Sequence, residues 1–412
     1  MPEDFSDEFL ICDRQISGVE LPEKVWDVAV VGAGPAGATA ALLLARLGYS
    51  VVLLDKCRYP REKCCGDALV SDSLQALERF ELLDIVRRSA WETTRSTFCG
   101  PSGASLSVPF RALHLKRAQL DAILVHEAIK AGACFAHSQV KKSTFKSDGS
   151  VLLQSNEPDC AIHSRVCVLA TGAHIDLLRK LGLVTRFQPS AVAVRCYVRS
   201  SVECPDQVVY CARGLLPGYG WIFPTGECEF NIGCIGFFSG NSDKKINIRR
   251  RFDFFIGQFS LAQRLLEESM SITPLVGHPL RCGFDGARSV RVGNLLVVGE
   301  AAGSTLPFTG EGVGKAMETA EIAADVIDGA FRRNDMSELA AYPKLLEDTL
   351  STKYKGYAVA QKWLGRSWFV EYMVRRGQQS AYIREAFIRL LNQQLDPLRV
   401  FSARGFFRLL FS

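Results

Sequence analysis

The 412-residue chain has no uninterrupted run of about eighteen apolar residues, so no transmembrane helix is expected. It has no C-x-x-C pair, and its six histidines do not cluster with one another, so no metal site is expected. The first residues, MPEDFSDE, are acidic and lack an apolar stretch, the opposite of a secretory signal. A reducing cytoplasm is therefore the expected location, without a disulfide framework. Most of the 14 cysteines read as small buried hydrophobes. Neither charge dominates: 49 Lys and Arg face 44 Asp and Glu, and the net +5 does not point to nucleic acid. Internal repeats and low-complexity tracts are also missing.

What remains is a long, core-forming chain. Its length predicts two or three units. Forty-eight percent apolar residues and a mean hydropathy of +0.08 supply a substantial core. Residues 25–31 (VWDVAVV) form a short apolar run ending at a glycine, the pattern of a buried parallel strand. Residues 36–47 read as a helix closed by Gly48, and residues 50–55 as the next strand, which completes a βαβ unit. Helices are predicted over 71–90, 117–131 and 312–330, and from there to the C-terminus. Buried strands are predicted over 165–172 and 294–299, and antiparallel strands within 93–112 and 188–240.

Gly32-Ala33-Gly34-Pro35-Ala36-Gly37 fits G-x-G-x-x-G between that first strand and helix. Gly32 permits the tight turn, Gly34 lets backbone approach a pyrophosphate, and Gly37 allows close helix–strand contact. The helix N-terminus offers free N–H groups and a positive dipole to phosphates. Asp55 ends the second strand, placed to accept hydrogen bonds from ribose hydroxyls, and Lys56 follows it. This unit binds a dinucleotide but does not by itself choose between FAD and NAD.

The choice comes from a second segment. Residues 295–320 read LLVVGEAAGSTLPFTGEGVGKAMETA. This resembles the geranylgeranyl reductase family of flavoproteins, relatives of para-hydroxybenzoate hydroxylase, in which a strand ends in G-D-A-A and is followed by P-x-T-G-E-G-I and a helix. The counterparts are Gly299-Glu300-Ala301-Ala302 and Pro307-Phe308-Thr309-Gly310-Glu311-Gly312, then Val313. Three further segments resemble the family: Tyr59-Pro60-Arg61-Glu62-Lys63-Cys64-Cys65-Gly66-Asp67, Arg117-Ala118-Gln119-Leu120-Asp121, and Pro217-Gly218-Tyr219-Gly220-Trp221-Ile222-Phe223-Pro224. The likeness spans about residues 26–330.

The resemblance implies FAD as cofactor. It places Arg61, Cys65, Gly66 and Arg117 near the flavin, Glu300 on the ribityl chain, and the helix start at Gly310–Val313 against the pyrimidine ring. It sets Tyr219 and Trp221 as an apolar pocket over the ring, and Cys65 as a thiol that tunes the flavin or donates a proton, against the plainer reading of a small residue in a turn. Thr171 and Gly172, after the 165–172 strand, are also expected at the cofactor.

Two departures stand out. Glu300 replaces the family's aspartate. Ala170-Thr171-Gly172-Ala173 lacks the Asp-Gly pair that serves FAD and NADPH in the hydroxylases, which argues against NADPH docking in their manner. The W-x-W-x-I-P motif of flavin halogenases is absent. His114 is a second candidate acid, against the commoner case of a histidine satisfied in a turn.

The expected architecture is α/β: a discontinuous Rossmann-type FAD domain (26–92, 113–187, 283–330) interleaved with an antiparallel-sheet substrate domain (93–112, 188–282). A leader (1–25) precedes them and a helical region (331–412) follows. The expected activity is reduction of carbon–carbon double bonds in a prenyl-type or other lipophilic small molecule, with NAD(P)H or a protein electron donor as reductant. Two other readings stay open: a monooxygenase acting on an aromatic or prenylated aromatic metabolite, and a flavin-bound sensor without turnover. Residues 366–412 carry eight arginines, and 404–411 read RGFFRLLF. That stretch is either a segment touching a membrane surface or a helix packed on the FAD domain.

Overall fold

The computed structural model describes residues 16–157, 160–238, 246–284, 286–287, 289–307 and 309–400. Phe308 and residues 401–412, with the basic aromatic stretch, lie outside them.

The apolar runs around the glycine motif build a mainly parallel sheet. Its strand order is Ile16–Ser17, Cys134–His137, Val51–Asp55, Val25–Val31, Ala161–Leu169, Leu295–Val297, and then antiparallel Arg291–Val292. Strands Val140–Phe145 and Val151–Ser155 attach to it antiparallel. Helices Pro35–Arg46, Arg117–Lys130 and Val313–Arg332 cover one face. Val28, Val30, Val51, Leu53, Val166 and Val168 are wholly buried beneath them. Full burial of such a side chain contributes about 1.5–3 kcal/mol. A second apolar cluster, with Val52, Leu54, Cys167 and Leu169, fills the opposite face. Continuous apolar strands are what a sheet covered on both faces requires.

The second sheet runs Ser269–Ile272, Ala191–Ser200, Glu229–Phe237, Gly218–Gly226, Gln207–Tyr210, Trp91–Cys99, Ser105–His114, Ala68–Leu69. Its pairs are antiparallel except Gln207–Tyr210 with Trp91–Cys99. Helices Ile248–Gln258 and Ser260–Glu267 close its back through Phe252, Phe255 and Leu265. Helices Tyr342–Leu364, Ser367–Gln379 and Ala381–Leu391 form the C-terminal region.

Several expectations change. Residues 16–25 are not a loose leader: Ile16 and Ser17 pair with Ala136 and His137 at the sheet edge. Ala68, Leu69 and Trp91, expected with the first sheet, pair in the second. The two helices between 248 and 267 lie in the expected sheet domain, in a stretch for which no helix was predicted. The expected helix over 71–90 is two, Ser71–Arg79 and Leu83–Ser89, separated at Glu81, whose φ is 60°.

Candidate active site

The glycine turn is shaped by contacts, each with its own reason. Gly32 has φ +101°, and a Cβ there would meet the Ala170 carbonyl oxygen at 2.3 Å. A Cβ on Gly37 would lie 1.7 Å from the Gly32 carbonyl oxygen, so this glycine fixes how closely the helix presses on the loop. Gly34 differs: the nearest atom to its Cβ position is Nη2 of Arg61 at 3.4 Å. Helix Pro35–Arg46 begins there without a side-chain cap, and Gly34, Pro35 and Ala36 line a large cleft. Its first amides are thus left for a ligand.

Asp55 braces this turn. Its Oδ2 accepts from the Ala33 N–H (2.7 Å) and the Tyr59 hydroxyl (3.2 Å), and its Oδ1 from the Cys57 N–H (2.9 Å). Part of the capacity expected for ribose therefore holds the loop, although Asp55 also lines the cleft. Lys56 lies beside His174 (Nζ to Nε2, 2.8 Å), and Thr171 donates to the His174 carbonyl (2.8 Å). Lys56, Thr171 and Gly172 line the cleft as well.

Two arginines share one buried acid. Arg117 grips Asp121 with two bonds of 2.8 Å, and Arg61 reaches the same carboxylate at 3.2 Å. Burial works against the Arg117 charge, but Asp121 outweighs it and pushes the pKa up. Both cations therefore face the cleft permanently charged. Cys65 and Gly66 sit in the same wall. Burial, and then the nearby Asp67, push the Cys65 thiol up, so at neutral pH it is a thiol rather than a thiolate.

Asp67 is a site residue that the sequence reading missed. It is 1% exposed, its φ is 63°, and it ties the first unit to the second sheet. Its carboxylate accepts from the Tyr197 hydroxyl (2.6 Å) and the Asn231 amide (2.8 Å). Asn231 also donates to the Cys65 carbonyl (2.8 Å) and accepts from the Trp221 indole N–H (2.9 Å). Burial pushes Asp67 up to about 6 against these bonds. In the sequence it was only the last residue of the quoted segment Tyr59–Asp67, with nothing to mark its distant partners.

The opposite wall comes from the second segment. Glu300 pairs with Lys63 (3.3 Å) and accepts from the Arg281 N–H (3.3 Å). Gly310 has φ +75°, and its Cβ position lies 2.9 Å from Ile235 Cδ1. Helix Val313–Arg332 starts at Gly312 with no side-chain cap, and Glu300, Gly310, Gly312 and Val313 line the cleft. Of the expected cofactor residues, Gly37, Gly299 and Pro307 do not line it. Gly299 instead has φ +64° and packs against Ala36, whose Cβ would lie 2.7 Å from a Cβ added at this glycine.

The cleft holds about 900 Å³, near the top of the range of roughly 300–1,000 Å³ for ligand sites. It meets a second, apolar chamber of about 170 Å³ between the second sheet and the C-terminal helices. Phe98, Val209, Leu216, Val374 and Leu391 are among the chamber's walls. Ala68, Tyr219, Phe223, Thr309 and Glu311 face both spaces. Trp221 faces only the cleft, and the Tyr219 hydroxyl is committed to the Thr309 carbonyl. His114 faces neither space. Burial drives it down to about 3 and it shares a 3.0 Å bond with Thr93, so it is a neutral core histidine.

The elements fit a flavin dinucleotide. Two uncapped helix starts and two fixed cations face one elongated cleft, and a side chain at Gly34 would project where a cofactor approaches. Residues 25–187 match the FAD binding domain family model. The class is therefore that of an FAD-dependent oxidoreductase. The chain is 30% identical over 338 residues to digeranylgeranylglycerophospholipid reductase 2 of Methanothermobacter thermautotrophicus, covering 74% of this chain and 81% of that one. It is 29% identical over 360 residues to menaquinone reductase of Mycolicibacterium smegmatis, covering 82% and 83%. Conditioned medium factor receptor 1 of Dictyostelium discoideum is 28% identical over 338 residues, 76% of this chain and 66% of that protein's length. A geranylgeranyl bacteriochlorophyll reductase-like structure from Thermoplasma acidophilum superposes with TM-score 0.74 at 21% identity, covering 94% and 96%. The flavin-dependent brominase Bmp2 scores 0.74 at 18% identity, covering 94% and 98%, so the fold does not choose the chemistry. The chain belongs to the geranylgeranyl reductase family of FAD-dependent oxidoreductases.

Proposed function

We propose that this protein reduces a carbon–carbon double bond in a prenyl chain or similar lipophilic group, with FAD held in the cleft. The observation that carries this is an apolar chamber that shares the wall residues Tyr219 and Phe223 with the cleft. A cavity of about 150 Å³ accepts one benzene-sized group. The chamber is of that order and suits about one isoprene unit at a time.

The residues divide the work. Gly32 and Gly37 set the turn, and the amides after Gly34 take the pyrophosphate. Asp55 faces the adenosine ribose, and Glu300 the ribityl chain. The amides from Gly310 to Val313 neutralise negative charge on the pyrimidine side. Arg61 and Arg117 add fixed positive charge. Tyr219, Trp221 and Phe223 exclude water and orient the alkene. The bound cofactor, reduced by NAD(P)H or a protein donor, supplies hydride. The names of the archaeal and mycobacterial relatives support a lipophilic substrate.

The test is anaerobic incubation of dithionite-reduced, FAD-loaded protein with a geranylgeranyl phospholipid and with a menaquinone, followed by mass spectrometry. The expected product is heavier by two hydrogens. Unchanged lipids would remove the proposal, and a gain of one oxygen in air would select the monooxygenase reading.

A further inference from the structure

Glu311 stands apart among the residues that both spaces share. Of the five, it alone carries a carboxyl group. Its Oε2 accepts from the Gln393 side-chain amide (3.1 Å), and the Thr309 hydroxyl is also bonded to the carboxyl group.

The surroundings disfavour its ionised form. Lys315 is the nearby cation, but it is already shared by Glu318 (2.8 Å) and Asp72 (3.6 Å). One positive charge thus serves two carboxylates before Glu311 is counted. The groups facing Glu311 are Asp72 from helix Ser71–Arg79, Lys315 from its own following helix, Thr309, Gln393, and the phenols Tyr219 and Tyr357. The positive end of helix Val313–Arg332 pulls the other way. Burial and then Asp72 prevail and raise the group to about 8.

We propose that Glu311 is the catalytic acid of the double-bond reduction, giving its proton to the alkene carbon that does not receive hydride. This rests on the reductase reading above. The alkene π bond breaks and two C–H bonds form. One carbon takes hydride, two electrons with their hydrogen, from the flavin pre-reduced by dithionite. The other carbon takes the Glu311 proton as the carboxyl O–H breaks. The carboxylate is then reprotonated from water. The competing donors are less suited: the Tyr219 hydroxyl is bound to a backbone carbonyl, the Cys65 thiol lines the cleft but not the chamber, and His114 is neutral and outside both spaces.

The test uses the full-length, FAD-loaded protein with Glu311→Gln and Glu311→Asp. Turnover is counted per bound flavin, so lost cofactor does not count as lost chemistry. Glu311→Gln should lower it by about 100-fold or more, the usual range for a general acid, with partial recovery in Glu311→Asp. The wild-type rate should fall as pH rises past about 8. Independently of turnover, infrared difference spectra should show a protonated carboxyl band at neutral pH that disappears in Glu311→Gln and on raising the pH. Wild-type-like turnover in Glu311→Gln, or absence of that band at neutral pH, overturns the assignment while the reductase reading stands. No reduction by the wild type removes the reading and the assignment together.

Discussion

The hydroxyl of Tyr197 donates to the carboxylate of Asp67 over 2.6 Å, across 130 residues of sequence and from one sheet to the other unit. The bond ties the loop carrying Cys65 and Gly66 to strand Ala191–Ser200. Asp67→Ala strands both this hydroxyl and the Asn231 amide, and each orphaned buried group costs about 1–3 kcal/mol. Unfolding in urea should show a loss of about 2–4 kcal/mol, and Tyr197→Phe a smaller one. The folded carboxyl sits near 6 against an ordinary 3.8, so the native state holds more protons between those values. This contribution therefore falls as pH rises from 3.8 to 6, and Asp67→Asn should remove that slope.

The glycines of the turn should separate stability from binding. Gly37→Ala puts a methyl 1.7 Å from a backbone oxygen and should prevent folding. Gly34→Ala meets only side-chain ends, Arg61 Nη2 at 3.4 Å and Arg117 Nη2 at 3.9 Å. It should stay within about 1 kcal/mol of wild type yet lose FAD, as measured by flavin absorbance after reconstitution. Equal FAD content in Gly34→Ala and wild type would contradict the site.

Asp121 pairs with two arginines at once. Asp121→Ala leaves Arg117 charged and buried, and removing one partner of such a pair costs about 3–5 kcal/mol. Thermal unfolding should show this cost. A double variant with Arg117→Met should recover part of it.

His114 stays neutral in the fold, with its pKa near 3 against an ordinary 6.5. The unfolded chain binds the proton more readily between those values. Stability should therefore drop as pH falls from 6.5 toward 3, and His114→Gln should flatten that limb. If the histidine worked at the site, the same variant would instead lose turnover.

The chamber should set substrate affinity without touching the cofactor. Val209→Phe fills its wall. The flavin spectrum should be unchanged, while KM for the prenyl lipid rises roughly tenfold, as expected for a few methylenes of lost space.

The parts legible in the sequence were local ones. Residues 25–31 and 165–169 read as strands because strands buried on both faces are continuously apolar. Gly32, Gly34 and Gly37 read as a turn because backbone geometry leaves glycine little competition there. Glu311 lay in a quoted motif but carried no signal of its own, because its environment is built by Asp72 and Gln393, 239 and 82 residues away. Asp67, Tyr197 and Asn231 were hidden for the same reason. The helices at 248–267 did carry a signal, since Phe252, Phe255, Phe259, Ala262 and Leu265 recur at spacings of three and four and pack on the second sheet, but the predicted elements of the sheet domain stopped at residue 240. Tyr219 and Trp221 line the cleft, and their polar atoms are spent on Thr309 and Asn231.

One anaerobic single-turnover trace tests the account most directly. The FAD-loaded protein is bleached with one equivalent of dithionite and mixed with the geranylgeranyl lipid or with its fully saturated counterpart, and the visible flavin band is followed. The account predicts that colour returns in proportion to unsaturated lipid and not with the saturated one. Flavin that stays bleached with both, or recovers equally with both, would contradict the claim that the chamber delivers an alkene to the cofactor.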